Sequence, residues 1–126
     1  MAKESCDVLV LGSGVAGLSL ALAAAEQCDV LIVTKRAPEA GSTWLAQGGV
    51  SAALGGDDSV ALHVADTLEA GDGLCDETVV RALCADAPAV IERLRDAGAR
   101  FDGGAAPALG REGGHSRRRI FHAKDL

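Results

Sequence analysis

Aromatic residues are almost missing from this sequence: it holds one Trp, two Phe and no Tyr. That scarcity argues against a surface that grips single-stranded nucleic acid by stacking its bases. Excess positive charge is missing too. The formal net charge is -6, which speaks against a protein that tracks phosphate backbones, although Arg117, Arg118 and Arg119 form a local basic exception. Only 3 prolines stand beside 16 glycines, a balance that favours tight turns and close ligand approach over a flexible linker. No CxxC pair occurs among Cys6, Cys28, Cys75 and Cys84, and nothing resembles a secretory signal, so the expectation is reduced thiols in the cytoplasm. Long hydrophobic runs are absent as well. Val8 to Leu11 and Val30 to Val33 are far too short to span a bilayer, and the Ala-rich residues 18–25 stop at Glu26. What remains is a chain of 126 residues, 48% hydrophobic and 24% charged, enough for one packed core and no more.

The pattern along the chain predicts an α/β fold. Asp7-Val8-Leu9-Val10-Leu11 is a short aliphatic run closed by glycine, the signature of a strand buried on both faces of a parallel sheet. Residues 15–27, rich in Ala and Leu, predict a helix, and Val30-Leu31-Ile32-Val33 repeats the strand pattern. Together they make a strand, helix, strand unit with parallel neighbours and a right-handed crossover. Periodicity from residue 42 to Leu54 is ambiguous. Ser59 is placed to cap a helix carrying Val60, Val64 and Leu68 and ending at Gly71. Asp76 is placed to cap another with Val79, Val80 and Leu83, and Pro88 to open a further one with Val90, Ile91 and Leu94 before Gly98. Residues 103–114 read as an exposed loop.

Gly12-Ser13-Gly14-Val15-Ala16-Gly17 fits GxGxxG between a buried strand and a helix, the setting in which this weak pattern becomes informative. Gly12 permits the turn out of the strand, Gly14 lets a pyrophosphate approach the backbone, and Gly17 lets helix and sheet close up. Free amides at the helix start and the helix dipole favour an anion there. The acidic residue that normally binds a ribose is missing. Thr34 stands in its place and Lys35 follows; a hydroxyl and an ammonium can still bond a ribose or phosphate, but plain NAD recognition is disfavoured.

Ser42-Thr43-Trp44-Leu45-Ala46-Gln47-Gly48-Gly49 resembles the second flavin-contacting segment of the L-aspartate oxidase and succinate dehydrogenase/fumarate reductase flavoprotein superfamily. In these families Lys or Ser/Thr also replaces the acid after the second strand, so Thr34 and Lys35 agree with the resemblance. It implies FAD, clasped between the Gly12 to Gly17 turn and the segment ending at Gly48-Gly49. Alignment on Ala46-Gln47-Gly48-Gly49 puts Ser42 where the membrane-associated members carry a flavin-linking histidine, so the resemblance implies a non-covalent cofactor.

A third block, Arg111-Glu112-Gly113-Gly114-His115-Ser116, is similar to the REGGHS segment of L-aspartate oxidases. In that family the matching glutamate helps orient the substrate, and a carboxylate is suited to pair with the α-ammonium that aspartate has and succinate lacks. Taken alone, Glu112 is an ordinary loop carboxylate; the resemblance gives it that role. The implied reaction is oxidation of L-aspartate to iminoaspartate, with a hydride passing to the flavin, oxygen or fumarate as acceptor, and the imine feeding quinolinate and NAD biosynthesis, which suggests a functional link to quinolinate synthase. Residues 1–126 would then be the N-terminal part of an FAD-binding domain, with the family's capping and C-terminal helical domains, and its substrate-binding Arg and His residues, outside this sequence. Two alternatives stay open: a succinate dehydrogenase/fumarate reductase type flavoprotein, which has no need of Glu112, and a nucleotide-binding module without catalysis. No metal is expected, because His115 and His122 lack a third suitably spaced ligand and Cys75 and Cys84 do not form a zinc pair. At least one of Arg117 to Arg119 is expected in solvent, His63 at the surface of a helix or half-buried, and Trp44 in the flavin segment or in packing. With further strands absent, an unpaired hydrophobic sheet edge is expected to make the isolated chain poorly soluble or only partly ordered.

Overall fold

The computed structural model describes residues 5–41, 43–46 and 49–123. The chain divides into two compact units, residues 1–47 and 48–126.

The first unit is the expected strand, helix, strand. Strand β1 (Val8–Leu11) pairs in parallel with β2 (Val30–Val33), Val8 opposite Val30 and Leu11 opposite Val33. Helix α1 (Val15–Ala24) connects them. It ends three residues short of the predicted Gln27, because the amides of both Gln27 and Cys28 turn back onto the Ala24 carbonyl (2.9 and 3.0 Å). Burial corrects the expectation for β1. Val10 is buried, but Leu9 and Leu11 are 54% and 77% exposed. Among the described residues β1 has one strand partner and α1 is the helix packed against it, so one face and one edge lack cover. Val15, Leu20 and Leu22 on α1 are exposed as well.

The second unit pairs a short antiparallel ladder with two helices. Strand β3 (Gly49–Ser51) takes up the stretch whose periodicity is ambiguous and runs against β4 (Ile120–His122), which the sequence pattern does not reveal. Helix α2 (Val60–Ala70) begins as expected: the Ser59 hydroxyl accepts the Leu62 amide at 3.2 Å. Val64, Val80 and Cys84 join it to α3 (Glu77–Asp96) in one cluster, and Ala52, Ile91 and Phe121 form the other.

Helix α3 is one element where the pattern predicts two. Asp76 caps it through the amides of Thr78 and Val79, and Pro88 lies inside rather than at a new first turn. The helix continues through a residue with no N–H because Cys84 before it and Ile91 after it are both buried, and packing outweighs local propensity. Gly98 ends it with φ +98°. Its amide bonds the Arg95 carbonyl and that of Ala99 the Leu94 carbonyl (both 2.9 Å), the paired closure of a left-handed helix end.

Replacing Pro88 by Ala restores an amide donor facing the Cys84 carbonyl and should raise the melting temperature, the gain being bounded by the roughly 3 kcal/mol that proline costs a helix interior. A calorimetric scan of Pro88→Ala checks this; a lower melting temperature would mean that the ring itself is needed for packing.

Candidate functional site

In the first unit the chain leaves β1 at Gly12, whose φ of +107° is the left-handed region that favours glycine. Its amide still bonds the Val33 carbonyl at 2.8 Å. A β-carbon on Gly17 would lie 2.8 Å from the Gly12 carbonyl oxygen and 3.1 Å from Val10, so helix and strand approach too closely there for any side chain. Gly14 is different. It has φ -72°, and a β-carbon there would meet only the Thr43 hydroxyl at 3.9 Å, so its bareness is not demanded by packing. Gly14 also supplies no side-chain cap to α1. The Val15 amide is taken by the Thr43 hydroxyl (3.0 Å), which ties the segment after Gly41 to the helix start. The Ser13 hydroxyl donates to the Pro38 carbonyl at 3.1 Å.

At the C-terminal ends of β1 and β2 lies an open cleft of about 640 Å³, lined by Leu11, Gly12, Ser13, Val33, Thr34 and Lys35 together with residues 36, 37, 40 and 41. This is where open α/β sheets take up nucleotides. The Thr34 hydroxyl donates to the Arg36 carbonyl, while Lys35 is exposed. A glycine turn, a helix start whose N-cap residue Gly14 carries no side chain, and a cationic side chain fit the phosphate and ribose part of a dinucleotide.

In the second unit Glu112 lies exposed on the loop formed by residues 111–118. Its carbonyl accepts the His115 amide at 3.2 Å, and among the described residues its carboxylate meets no donor. The arginine run separates into three environments. Arg118 is exposed; Arg117 reaches the Asp57 carbonyl at 3.1 Å; Arg119 has no exposed surface. Its guanidinium grips Asp58 with two bonds of 2.9 Å and gives a third, of 2.7 Å, to Asp66. Burial opposes the charge on Arg119, yet the hydrogen bonds and charges of Asp58 and Asp66 outweigh it and raise its pKa. For Asp66, burial works upward, but the Ser116 amide and hydroxyl and the Arg119 guanidinium prevail and hold its carboxyl below the usual value. Burial, then the charges of Arg119 and His115, lowers His63 below its ordinary 6.5. His63 is buried, deeper than the surface or half-buried position expected; its ring stands edge-on to that of His115 at 6.1 Å, and neither Nδ1 has a partner among the described residues.

Gly12, Ser13, Gly14, Val15, Ala16 and Gly17 thus share the first unit with Thr34, Lys35, Thr43, Trp44, Leu45 and Ala46. Trp44 and Leu45 are exposed there. Ser42, Gln47 and Gly48 lie outside the described residues. Gly49 belongs to the second unit, where a β-carbon would strike Ile120 and the Phe121 carbonyl. Sequence reasoning missed Asp58 and Asp66. Their spacing of eight residues before and within a helix carries no motif, and only the helix cap at Ser59 hinted that Asp58 sits at a turn.

The strand, glycine turn, helix and strand around this cleft define a dinucleotide-binding class of fold. The chain belongs to the FAD binding domain family, whose model matches residues 7–126. Within the curated proteins it is similar to L-aspartate oxidases. That of Agrobacterium fabrum is 54% identical over 120 residues, covering 92% of this chain and 23% of the relative. The chloroplastic L-aspartate oxidase of Arabidopsis thaliana is 50% identical over 122 residues, covering 95% and 19%. The chain therefore spans about a fifth to a quarter of the length of these relatives. Among solved structures, an E. coli quinol fumarate reductase matches with a TM-score of 0.89 and 29% identity, and Mycobacterium smegmatis Sdh1 with 0.88 and 31%; each match covers 99% of this chain and 22% of the other. No helix among the described residues is long and apolar enough to cross a membrane, and no three His, Cys, Asp or Glu among them gather as metal ligands.

The lowered pKa of His63 fixes the sign of a pH effect. Below its ordinary 6.5 the unfolded chain binds a proton there that the folded unit does not, so stability is full above that pH and falls as pH drops. Asp66 adds a second loss as pH falls below its ordinary 3.8. Urea midpoints measured on either side of pH 6.5 should decrease toward acid, and His63→Gln should flatten the first part of that decrease; an unchanged slope in the variant would show that His63 is not its source.

Proposed function

We propose that this chain is the N-terminal, cofactor-holding part of an FAD-dependent L-aspartate oxidase, which converts L-aspartate to iminoaspartate for quinolinate and NAD biosynthesis. The observation that carries the flavin half is Gly14: a bare, sterically free residue that gives α1 no side-chain cap of its own, beside a cleft ending in Thr34 and Lys35. The identity to L-aspartate oxidases supports the substrate half. Residues 12–17 would receive the phosphates through backbone amides other than those of Gly12 and Val15, which the Val33 carbonyl and the Thr43 hydroxyl take; Thr34 and Lys35 would meet the adenosine side, and Ser42, Thr43, Trp44, Leu45, Ala46, Gln47, Gly48 and Gly49 the flavin side. Ser42 offers no imidazole for a covalent link, so FAD is held non-covalently. Once bound, FAD supplies the two-electron acceptor that no side chain provides.

Glu112 contributes electrostatic recognition. Its carboxylate, which meets no donor among the described residues, suits the substrate α-ammonium, a pairing unavailable to succinate. The chain spans only about a fifth to a quarter of the relatives' length, and no residue in it is assigned to hold the two substrate carboxylates. Oxygen or fumarate takes the electrons onward. The four free thiols agree with a reducing cytoplasm as the site of the reaction.

Two variants separate folding from binding. Gly14→Ala should leave the melting temperature unchanged but weaken FAD binding by roughly tenfold, a loss of about 1.4 kcal/mol. Gly17→Ala should lower the melting temperature directly, because its methyl meets the Gly12 carbonyl. Flavin fluorescence titration and thermal scans on the same samples read both; equal FAD affinity in Gly14→Ala would remove the cofactor assignment. In the polypeptide at its natural length, Glu112→Gln should depress L-aspartate turnover by at least about tenfold, worth 1.4 kcal/mol in the transition state. Undiminished turnover would favour a succinate dehydrogenase/fumarate reductase type activity.

A further inference from the structure

The loop that bears Glu112 has no regular secondary structure, yet it is tied at two levels. At its base, the Gly110 amide donates to the Ile120 carbonyl (2.8 Å), and the Gly110 carbonyl accepts the amides of Arg119 and Ile120 (3.0 and 3.1 Å). At its far side, the Ser116 amide and hydroxyl both donate to Asp66 Oδ2, at 2.7 and 2.9 Å. The same oxygen receives Arg119 Nη1 at 2.7 Å. Between these ties, Gly114 turns with φ +84°, and a β-carbon there would lie 3.3 Å from that of Ala70, one turn further along α2. His115 meets His63 of the same helix edge-on. The loop is therefore laid along α2, and among the described residues its polar anchor on that helix is Asp66 Oδ2, while Arg117 holds the returning end to the Asp57 carbonyl before the helix.

We propose that Asp66 is a positioning residue for Glu112, and that it sets the selectivity for a substrate bearing an α-ammonium by fixing the loop backbone from which Glu112 projects; this rests on the aspartate reading above. A carboxylate on a flexible side chain discriminates between ligands only if its backbone is held within a fraction of an ångström of the productive place. The base of the loop fixes where the chain leaves and returns, but not the path of the residues between. Asp66 removes that freedom without touching substrate. Arg119 is not the pin itself: its bidentate bond to Asp58 survives loss of Asp66, so a variant at residue 66 keeps one buried cation opposite one buried anion.

The test compares Asp66→Ala with Val80→Ala, which loosens the packing of α2 on α3 away from the loop, and with Asp66→Asn, which keeps an acceptor. In the chain as it stands, amide exchange at residues 112–116 should quicken tenfold or more in Asp66→Ala beyond any change in α3, should recover in part in Asp66→Asn, and should follow α3 in Val80→Ala. At natural length, the ratio of kcat/KM for L-aspartate over succinate should fall about tenfold in Asp66→Ala, through KM for aspartate, with FAD affinity unchanged. If Asp66→Ala does not fold, Ser116→Ala, which leaves both ion pairs intact, should show the same changes at smaller size. An unaltered loop exchange overturns the pinning, and a loosened loop with undiminished aspartate preference overturns the selectivity role. A parent enzyme that does not oxidise aspartate overturns the functional reading and the selectivity role with it, while the exchange result still decides the pinning.

Discussion

In the second unit a guanidinium with no exposed surface lies between two carboxylates, and most of the local structure answers to it. Removing an ion of that size from water costs several kcal/mol, so Arg119 is tolerable inside only because Asp58 and Asp66 surround it. The planar fork of arginine suits this arrangement. Two nitrogens face Asp58 in parallel and a third turns to Asp66, a geometry that an ammonium cannot reproduce. Through these bonds three stretches of chain are joined: the turn before α2, the middle of α2 and the start of β4. Taking away the cation would leave two buried anions facing each other, and such a change in a buried pair generally costs about 3–5 kcal/mol.

The first unit follows another constraint, namely closeness of backbone. Gly17 brings α1 against the turn at Gly12 and the side of Val10, and the price is a site where not even a methyl group fits. That approach sets the start of α1 beside the ends of β1 and β2, where the cleft opens. Much apolar surface stays uncovered around it, on Leu9, Leu11, Leu20 and Leu22. Isolated exposed leucines are ordinary, but Leu9 and Leu11 share one face of a strand whose other edge has no partner among the described residues, a surface of the kind that invites association.

Much of this was legible beforehand. The aliphatic tetrads around a glycine turn specify a parallel strand pair, since strands of that kind need no alternation and the turn has one stereochemical solution. Caps at Ser59 and Asp76 and the stop at Gly98 were readable for the same reason: each is a local hydrogen-bonding or dihedral requirement met by a residue type within a few positions. Pro88 misled because its local meaning, a helix start, was overruled by packing on both sides of it. Strand β4 was hidden because three residues in a basic stretch carry no period, and its partner β3 lies about 70 positions earlier, beyond the reach of any short-range pattern.

The candidate site divides along the same line. Local chemistry in the sequence determined the turn at Gly12 to Gly17 and the missing acid at Thr34, because each depends on neighbours in the chain, while the block around Glu112 took its meaning from its resemblance to a family segment. Only the tertiary structure decided that Gly14 is free of packing while Gly17 is not, that Arg119 is buried while Arg118 is in solvent, and that Asp66 holds Ser116 from 50 residues away. The physical reasons are close approach and desolvation: whether a glycine matters depends on what its β-carbon would strike, and whether a charge matters on what excludes water from it, and both are settled by segments brought together in the fold.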